Sequence, residues 1–320
     1  MKFLAFAITA AACMSSAQAQ TKWDLPSGYG GNTFHVQNLE WFAQEVDKAT
    51  AGKLKITVHA NASLFKANEI KRAVQSGQTA IGEFILSSAA NENPLFGVDS
   101  IPFLATNYVE AKKLDEASQP ALQKLLGGQG VKLLYTVPWP GQSLYSRKPV
   151  ATLADLKGTK MRAYNPATSR IAELVGAQPI TIQLAELPAA LATGAVDNFL
   201  TSSASGVDSK LYEQVKYFYD VNAWLPRNAV VVNQKSFDAL DPPTQAAVVA
   251  VAAKASERGW KLSDEKDDAY LKELVAKGMT VDRSSAVLKR ELKTVGERMA
   301  ADWVKAAGAD GQAVLDAYRK

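Results

Sequence analysis

The sequence predicts an α/β protein with helical additions at its C-terminus. Up to about residue 240, segments with the apolar spacing of strands alternate with segments that have the spacing of helices. Beyond residues 241–243, Asp-Pro-Pro, the chain is rich in Ala, Lys and Glu and predicts helix almost to its last residue. Gly278 and Gly308 are the predicted breaks in this helical region.

The elements before residue 240 are predicted from periodicity and from glycines that end them. Helical spacing covers segments 39–46, 70–74, 108–126 and a short stretch at 152–156. Strands are predicted at 54–58, 80–86, 131–137, 161–164 and 228–234. The run Ala80–Leu86 has the length and apolar continuity of a buried strand. The segment "GGQG" at 127–130 lies between a helix and a strand, so we interpret it as a helix C-cap rather than a dinucleotide loop.

The first nineteen residues predict a cleaved signal peptide. Lys2 is a short basic region, residues 3–13 form an apolar run too short to span a bilayer, and Ala-Gln-Ala at 17–19 predicts cleavage before Gln20. An uncleaved anchor helix and a lipoprotein cysteine at Cys13 are the alternatives. Cys13 is the only cysteine, so the mature chain has no disulfide and we expect export to a bacterial periplasm.

The charge of the chain is mild. The full sequence has a formal net charge of +4, which becomes +3 once Lys2 is removed. This balance does not favour a nucleic-acid or membrane-surface partner, whereas small anions remain possible ligands. About 300 residues suffice for two domains with their own cores.

Few residues suit catalysis or metal binding. The chain has two histidines, His35 and His59, and no paired ligands with metal spacing, so neither a metal site nor a cofactor is predicted. His59 falls on the polar side of its strand and favours a surface position. The serines at 202, 203 and 205 have no nearby base and are typical of helix caps. We therefore do not predict an enzyme.

Arg162 lies where a half-buried strand would ordinarily be apolar. Its segment, "KMRA" at 160–163, alternates polar and apolar residues. A guanidinium on a strand is a rigid, permanently charged fork that matches a carboxylate. The sequence alone leaves two interpretations open: an arginine paired with an acidic side chain at a domain edge, or an arginine that binds a ligand.

Several motifs in a specific order resemble the solute-binding proteins of tripartite ATP-independent periplasmic (TRAP) transporters, the C4-dicarboxylate-binder (DctP-like) family. The resemblance covers nearly the whole mature chain. Its motifs are "FAQEVDKATAGKLKITVHANASLF" at 42–65, "DSIPFL" at 99–104, "DLKGTKMR" at 155–162, "ELVGAQPI" at 173–180, "ALATGAVDN" at 190–198 and "VVVNQKSFDAL" at 230–240. It implies a clamshell of two α/β lobes with mixed sheets and a long interdomain helix, closing on an organic acid. It also implies that Arg162 holds the ligand carboxylate.

The predicted lobes are discontinuous in sequence. Since no flexible linker is visible, the chain is expected to cross between lobes on structured segments near residues 140 and 228. The first lobe is predicted to contain residues 20–141 and about 228–268. The second is predicted to contain residues 142–227 and about 269–320.

The chain departs from the family pattern at two ligand-facing positions. Gln142 stands where sialic-acid-type members have a second arginine, and Thr201 stands where many members have Asn. The Glu-Trp pair of metal-using members is absent. Beside Arg162, Gln142 and Thr201, the predicted ligand-binding residues are Trp139, Tyr164, Phe199 and Trp224, with Phe84, Ile85 and Ser87 approaching from the first lobe.

The uncharged Gln142 favours a monocarboxylate, such as a hydroxy, keto or aromatic acid, because a dicarboxylate needs a second fixed cation. Arg227 is the only reserve cation that the sequence offers. A C4-dicarboxylate or sugar acid is the alternative ligand, and a periplasmic hydrolase or a sensor component is the alternative function. The expected partners are the small and large membrane subunits of a TRAP permease, and the protein is expected to be a monomer.

Overall fold

The computed structural model describes residues 20–320, so the predicted signal peptide lies outside the described residues. Up to residue 138, strands and helices alternate, as the periodicity predicts. The elements of this part are β1 (Thr21–Pro26), α1 (Phe34–Ala49), β2 (Leu54–His59), α2 (Ile70–Gln75), β3 (Ile81–Ile85), α3 (Tyr108–Gly128) and β4 (Val131–Pro138). Two 3-10 helices, Leu86–Ala89 and Pro94–Ser100, follow β3.

The middle of the chain contains shorter elements. They are β5 (Ser143–Ser146), β6 (Lys160–Ala163), α4 (Pro166–Leu174), β7 (Gln178–Thr181), α5 (Leu187–Ala192), β8 (Asn198–Thr201), α6 (Ser203–Asp208) and β9 (Tyr217–Tyr219). Three 3-10 helices, Leu153–Leu156, Leu184–Glu186 and Leu211–Glu213, lie between them. The elements that follow are β10 (Arg227–Asn233), α7 (Gln234–Asp238), α8 (Pro242–Ala276), β11 (Thr280–Asp282) and α9 (Ala286–Arg319).

The strands form two lobes. In the first, β1 pairs in parallel with β2, and β10 lies antiparallel between β3 and β4. In the second, six strands form one mixed sheet in the order β11-β9-β5-β8-β6-β7. The chain is therefore a mixed α/β protein with a helical C-terminus, as predicted.

Two chain segments cross between the lobes side by side. The first joins β4 to β5 and the second joins β9 to β10. They are hydrogen-bonded to each other, since the amide of Trp139 donates to the carbonyl of Pro226 at 2.8 Å and that of Gln142 to the carbonyl of Trp224 at 2.8 Å. These crossings lie near the predicted positions 140 and 228. The exact lobe boundaries remain a prediction.

The two C-terminal helices contact both lobes. Helix α8 packs on α1 and β4 of the first lobe and on α6 of the second. Its close approach to β4 requires Gly259, because a Cβ there would lie 2.4 Å from a methyl of Val137. Helix α9 packs Leu288 and Leu292 into the core of the second lobe and Val314 against Leu95 of the first.

None of the helices in residues 20–320 has the length and apolar character needed to cross a membrane.

Candidate functional site

The cavity between the lobes lies at the carboxyl ends of parallel strands. In the second lobe, β6 runs parallel to β7 and β8, and all three end at the cavity. In the first lobe, β3 and β4 both run antiparallel to β10, so their carboxyl ends lie at the same edge. Ligand clefts of α/β sheets typically occur at this position, where loops leave the strands. The cavity encloses about 620 Å³, counting the space open to solvent.

Residues from both lobes line this cavity. From the first lobe and the crossing segments they are Gly28, Tyr29, Ala67, Glu83, Phe84, Ile85, Ser88, Trp139, Gln142 and Pro226. From the second lobe they are Arg162, Tyr164, Gln183, Leu184, Thr201 and Ser205. Aromatic and aliphatic groups form most of the wall, and the charged groups are few.

Arg162 lies in the cavity wall on strand β6, in register with Phe199 of β8 and Ile180 of β7. It is 3% exposed. Its Nε donates to the carbonyl of Ile182 at 2.8 Å, which fixes the guanidinium. Among residues 20–320 the two terminal nitrogens of Arg162 have no hydrogen-bond acceptor and no acidic side chain forms an ion pair with them. Arg162 is therefore a buried cation whose donors face the cavity.

Burial lowers the pKa of Arg162 to about 10, because a charged guanidinium loses its water there. The guanidinium carbon lies 4.9 Å from the ring centroid of Tyr164, so the cation is partly stabilised by the aromatic face. Arg162 remains protonated near neutral pH. A bound carboxylate would compensate this desolvated charge.

The side chains of Gln142 and Tyr164 are hydrogen-bonded to each other in the cavity wall. The Tyr164 hydroxyl donates to Oε1 of Gln142 at 3.1 Å, and Nε2 of Gln142 donates to the carbonyl of Pro140 at 3.3 Å. Burial raises the pKa of Tyr164, so its hydroxyl stays protonated. Thr201 ends β8 and is also buried in the cavity wall. These neutral groups offer hydrogen bonds without adding charge.

Seven of the ten predicted ligand-binding residues line the cavity: Arg162, Gln142, Thr201, Trp139, Tyr164, Phe84 and Ile85. Ser87, Phe199 and Trp224 are not part of its wall. Phe199 stacks on Tyr145 at 4.9 Å within the second lobe, and Trp224 is fully buried in that lobe's other core cluster. Ser87 instead accepts a hydrogen bond from Nδ2 of Asn165 at 2.8 Å.

Arg227 is not available as a second ligand cation. Its Nε lies 3.1 Å from Oδ2 of Asp99, and one terminal nitrogen pairs with Oδ1 of Asp115 and donates to Ser118 at 3.2 Å. Asp99 and Asp115 raise the pKa of Arg227 against the effect of burial. The interpretation of Arg227 as a reserve cation for the ligand was wrong, because Arg227 is paired with Asp99 and Asp115. Both partners lie over a hundred residues away in the chain, so no local sequence pattern indicates the pairing.

Sequence reasoning did not assign five polar residues to the cavity wall: Tyr29, Glu83, Ser88, Gln183 and Ser205. Tyr29 lies in a glycine-rich loop after β1, where the sequence gives no periodic signal. Glu83 interrupts the otherwise apolar strand β3, and it is 2% exposed. A carboxylate inside a buried apolar strand needs hydrogen-bond donors. The position of Glu83 in the sequence could therefore have indicated a polar site beside β3.

Two α/β lobes enclose the guanidinium of Arg162, which forms no ion pair within residues 20–320, and this arrangement is typical of a binding protein for a small organic anion. The sequence comparison agrees: residues 29–307 match the bacterial extracellular solute-binding protein family 7 (DctP). The chain belongs to this family. Among residues 20–320 no group of three or more His, Cys, Asp or Glu side chains is arranged to hold a metal ion.

Three solved structures are similar to this chain over nearly their whole length. The Bordetella pertussis extracytoplasmic solute receptor DctP6, which binds pyroglutamic acid, is 54% identical with a TM-score of 0.92, and the match covers 93% of this chain and 99% of that one. DctP7 of the same organism also binds pyroglutamic acid; it is 45% identical with a TM-score of 0.93, over 94% and 100% of the chains. A marine metagenome TRAP solute-binding protein specific for pyroglutamate is 42% identical with a TM-score of 0.92, over 94% and 99%.

Proposed function

We propose that the protein captures a monocarboxylate in the cavity, with pyroglutamate as the first candidate, and delivers it to a TRAP-type permease. The observation that carries this proposal is Arg162, the only Lys or Arg among the described residues of the cavity wall. Within residues 20–320 no carboxylate forms an ion pair with its guanidinium, so the ligand is the group that supplies one. A bidentate contact between the ligand carboxylate and Arg162 is the anchor.

A second carboxylate on the ligand finds no partner in this cavity. Arg227 is held by Asp99 and Asp115, and Gln142 is neutral. Glu83, which also lines the wall, adds a negative charge. Desolvating an unpaired carboxylate beside another one is costly, so C4-dicarboxylates are disfavoured. The neutral and aromatic wall suits a compact ring or a hydroxy or keto group instead.

The relatives support the same ligand class. Three receptors that are 42–54% identical to this chain bind pyroglutamate, a cyclic monocarboxylate. Their identity over almost the whole chain favours a shared ligand class. Sugar acids and dicarboxylates are the alternative ligands.

Catalysis is not part of the proposal. In the described part of the chain no histidine hydrogen-bonds a serine, and His35 instead lies 3.3 Å from Glu83. Ser202 caps α6, as the sequence predicts, and its hydroxyl lies 3.1 Å from that of Ser205. A nucleophile with an adjacent base, which a hydrolase requires, is therefore unsupported. The protein acts as a carrier.

The cellular context is inferred from the family and the sequence. The predicted signal peptide at residues 1–19 would deliver the mature chain to the periplasm. There it would act as a monomer and present the closed, loaded form to the small and large membrane subunits. A sensor that presents the ligand to a membrane receptor uses the same cavity, and a neighbouring gene pair for the two permease subunits favours transport.

The ligand is tested by calorimetry after any co-purified ligand has been removed by unfolding, dialysis and refolding. We expect pyroglutamate to bind more tightly than succinate, malate or fumarate. At a hundred times its dissociation constant it should stabilise the fold by about 2.7 kcal/mol in thermal unfolding. Tighter binding of the dicarboxylates would overturn the proposal. Turnover of the ligand would favour the hydrolase.

A further inference from the structure

The last residue of α6 is an acidic side chain outside the cavity wall. Asp208 ends this helix, and its Oδ2 is buried with no hydrogen-bond partner among residues 20–320. Within the same residues no Lys, Arg or His side chain forms an ion pair with it. A carboxylate oxygen that is shielded from water and receives no hydrogen bond is unfavourable in its charged form. Either a proton or access to solvent would remove this cost.

The groups that face Asp208 leave its charge largely uncompensated. Burial, the largest effect, raises the pKa of Asp208 to about 7, while on α8 the charge of Lys266 lowers it and that of Glu273 raises it. Tyr270, on the same helix, has a phenol whose pKa is raised by burial and then by Asp208 and Glu273, so it stays neutral. The 3-10 helix Leu211–Glu213, which also packs on α6, adds a tyrosine and a further glutamate.

Asp208 lies where the two lobes meet. Its backbone carbonyl accepts a hydrogen bond from Nδ2 of Asn32, in the first-lobe loop between β1 and α1, at 3.0 Å. Its helix, α6, packs on α8, which also packs on α1 and β4 of the first lobe. The carboxyl group of Asp208 is therefore buried at a junction to which both lobes contribute.

The segments on both sides of this junction begin in the cavity wall. Tyr29, three residues before Asn32, lines the cavity, and so does Ser205, three residues before Asp208. The start of α6 is fixed in the second lobe, because the Tyr145 hydroxyl donates to the carbonyl of Ser202 at 3.0 Å. About one helical turn thus separates the cavity wall from the acidic group in α6.

We propose that Asp208 takes up a proton from solvent when the protein binds its carboxylate ligand. This inference rests on the proposed monocarboxylate function and on a clamshell motion that separates the lobes when the cavity is empty. Separation would break the contact with Asn32 and admit water to the carboxylate, whose pKa would fall towards its ordinary value of 3.8. Ligand binding would join the lobes and bury the group again. The ligand and the proton therefore favour the same arrangement of the lobes.

The sign of this linkage follows from the raised pKa of Asp208 in the joined lobes. Below about pH 4 the group is protonated with or without ligand, and well above pH 7 it is ionised in both cases. Proton uptake is confined to the range between, so affinity should decrease as the pH rises from 5 to 8. Arg162, with a pKa of about 10, and a ligand carboxylate, with a pKa of about 3.5, keep their charges throughout this range.

Calorimetry in two buffers counts the protons directly on the refolded wild-type protein. Pyroglutamate is titrated at pH 6 in MES and in bis-tris, whose heats of ionisation differ, so the difference in binding heat gives the number of protons taken up. We expect about 0.3–0.9 proton per ligand. The dissociation constant should rise about 3- to 30-fold from pH 5 to pH 8, which is less than the full pKa shift would give because Asp208 is partly exposed.

The variant Asp208→Asn assigns the proton to this residue. An amide of the same size cannot take up a proton, so the uptake at pH 6 should fall by at least about half and the affinity should depend less on pH. Asp267→Asn, which alters the neighbouring carboxylate that accepts from Ser203 at 2.6 Å, should keep most of the uptake. Asp310→Asn, on the exposed face of α9, should behave as the wild type does. Circular dichroism and thermal unfolding check that the variants fold.

The outcomes separate this inference from the proposed function. Wild-type protein that binds pyroglutamate with the same heat in both buffers, or that releases protons, would overturn the role of Asp208 and leave the monocarboxylate function standing. Full uptake in Asp208→Asn would assign the proton to another group and overturn the inference as well. Failure of the wild type to bind pyroglutamate in either buffer would overturn the proposed function and this inference with it.

Discussion

At the residue scale, the site depends on an arginine whose charge is buried between the lobes. Arg162 is held by a backbone carbonyl and an aromatic face, neither of which neutralises it. Its desolvation is unfavourable, as its lowered pKa indicates. In the proposed function, a ligand carboxylate would recover that free energy on binding. Affinity and carboxylate selectivity would then have the same physical origin.

The substitution Arg162→Ala should weaken binding of the carboxylate ligand by roughly 2–5 kcal/mol, because it removes a desolvated bidentate pair. Arg162→Lys should recover little, since an ammonium group cannot reproduce the planar fork. Calorimetry with pyroglutamate measures both. Arg170→Ala, an exposed arginine on α4 paired with Glu173, is the control and should bind as the wild type does. If Arg162→Ala binds pyroglutamate as tightly as the wild type does, Arg162 is not part of the ligand site.

Single residues were predictable from sequence where a motif or an exception to a pattern marked them. Arg162 was such an exception on a strand, and the family resemblance supplied Gln142 and Thr201. Glu83 and Tyr29 were missed because their roles depend on Asn228, which lies 145 residues from Glu83 and 199 from Tyr29 in the chain. Only the folded chain brings these partners together.

At the element scale, periodicity predicted the long helices and five of the strands, β2, β3, β4, β6 and β10, but not the buried strands β5 and β8 of the second lobe. The helical C-terminal region breaks at Gly278 and at Gly308, both of which have positive φ, as the sequence predicts. Strand β11 was not predicted: three residues are too few for a periodic signal, and its pairing with β9 is a tertiary contact. Short strands are specified by their neighbours in the sheet rather than by their own sequence.

The packing of α6 on α8 predicts a pH dependence of stability. Burial raises the pKa of Asp208, the last residue of α6, to about 7, and that of Asp267 on α8 to about 6. Oδ2 of Asp208 is buried without a hydrogen-bond partner among the described residues. The folded state thus binds protons more tightly than the unfolded chain, in which these groups titrate near 3.8. Their stabilising contribution is full below about pH 4 and is lost as the pH rises through 6 to 7.

We therefore expect the free energy of unfolding to decrease between pH 5 and pH 8, and Asp208→Asn to reduce this decrease by about 1–2 kcal/mol. The expected change is smaller than the full pKa shift would give, because the Asp208 side chain is partly exposed to screening solvent. Urea unfolding at the two pH values measures it. Asp310→Asn, on the exposed face of α9, should leave the pH dependence as it is. If the free energy of unfolding of Asp208→Asn falls between the two pH values by as much as that of the wild type, the pKa of Asp208 is not raised by folding.

At the scale of the whole molecule, the two lobes are joined across the cavity by side-chain hydrogen bonds between residues that are distant in the chain. Nδ2 of Asn165, at the start of α4 in the second lobe, donates to Ser87 of the first at 2.8 Å and to Ser100 at 3.4 Å. Asn32 of the first lobe donates to the carbonyl of Asp208 at 3.0 Å. The overall clamshell was predicted from family resemblance, whereas these contacts and the way α9 spans both lobes were not. They depend on how the lobes meet, which no local pattern encodes.

The hydrogen bond between Asn165 and Ser87 should contribute to ligand affinity without either residue lining the cavity. Ser87→Ala removes it and leaves the helix cap intact, because Asn165 still accepts from the amide of Thr168 through Oδ1. The loss disfavours the closed state by about 0.5–1.5 kcal/mol, so the dissociation constant of pyroglutamate should rise about 2- to 10-fold. Small-angle scattering should show a larger radius of gyration at subsaturating ligand than the wild type has.

Ser256→Ala, which removes a hydrogen bond to Thr136 within the first lobe, should lower the free energy of unfolding but leave the affinity unchanged. If Ser87→Ala instead lowers stability by the same amount and binds ligand as tightly as the wild type, the contact holds the fold together rather than the closed state.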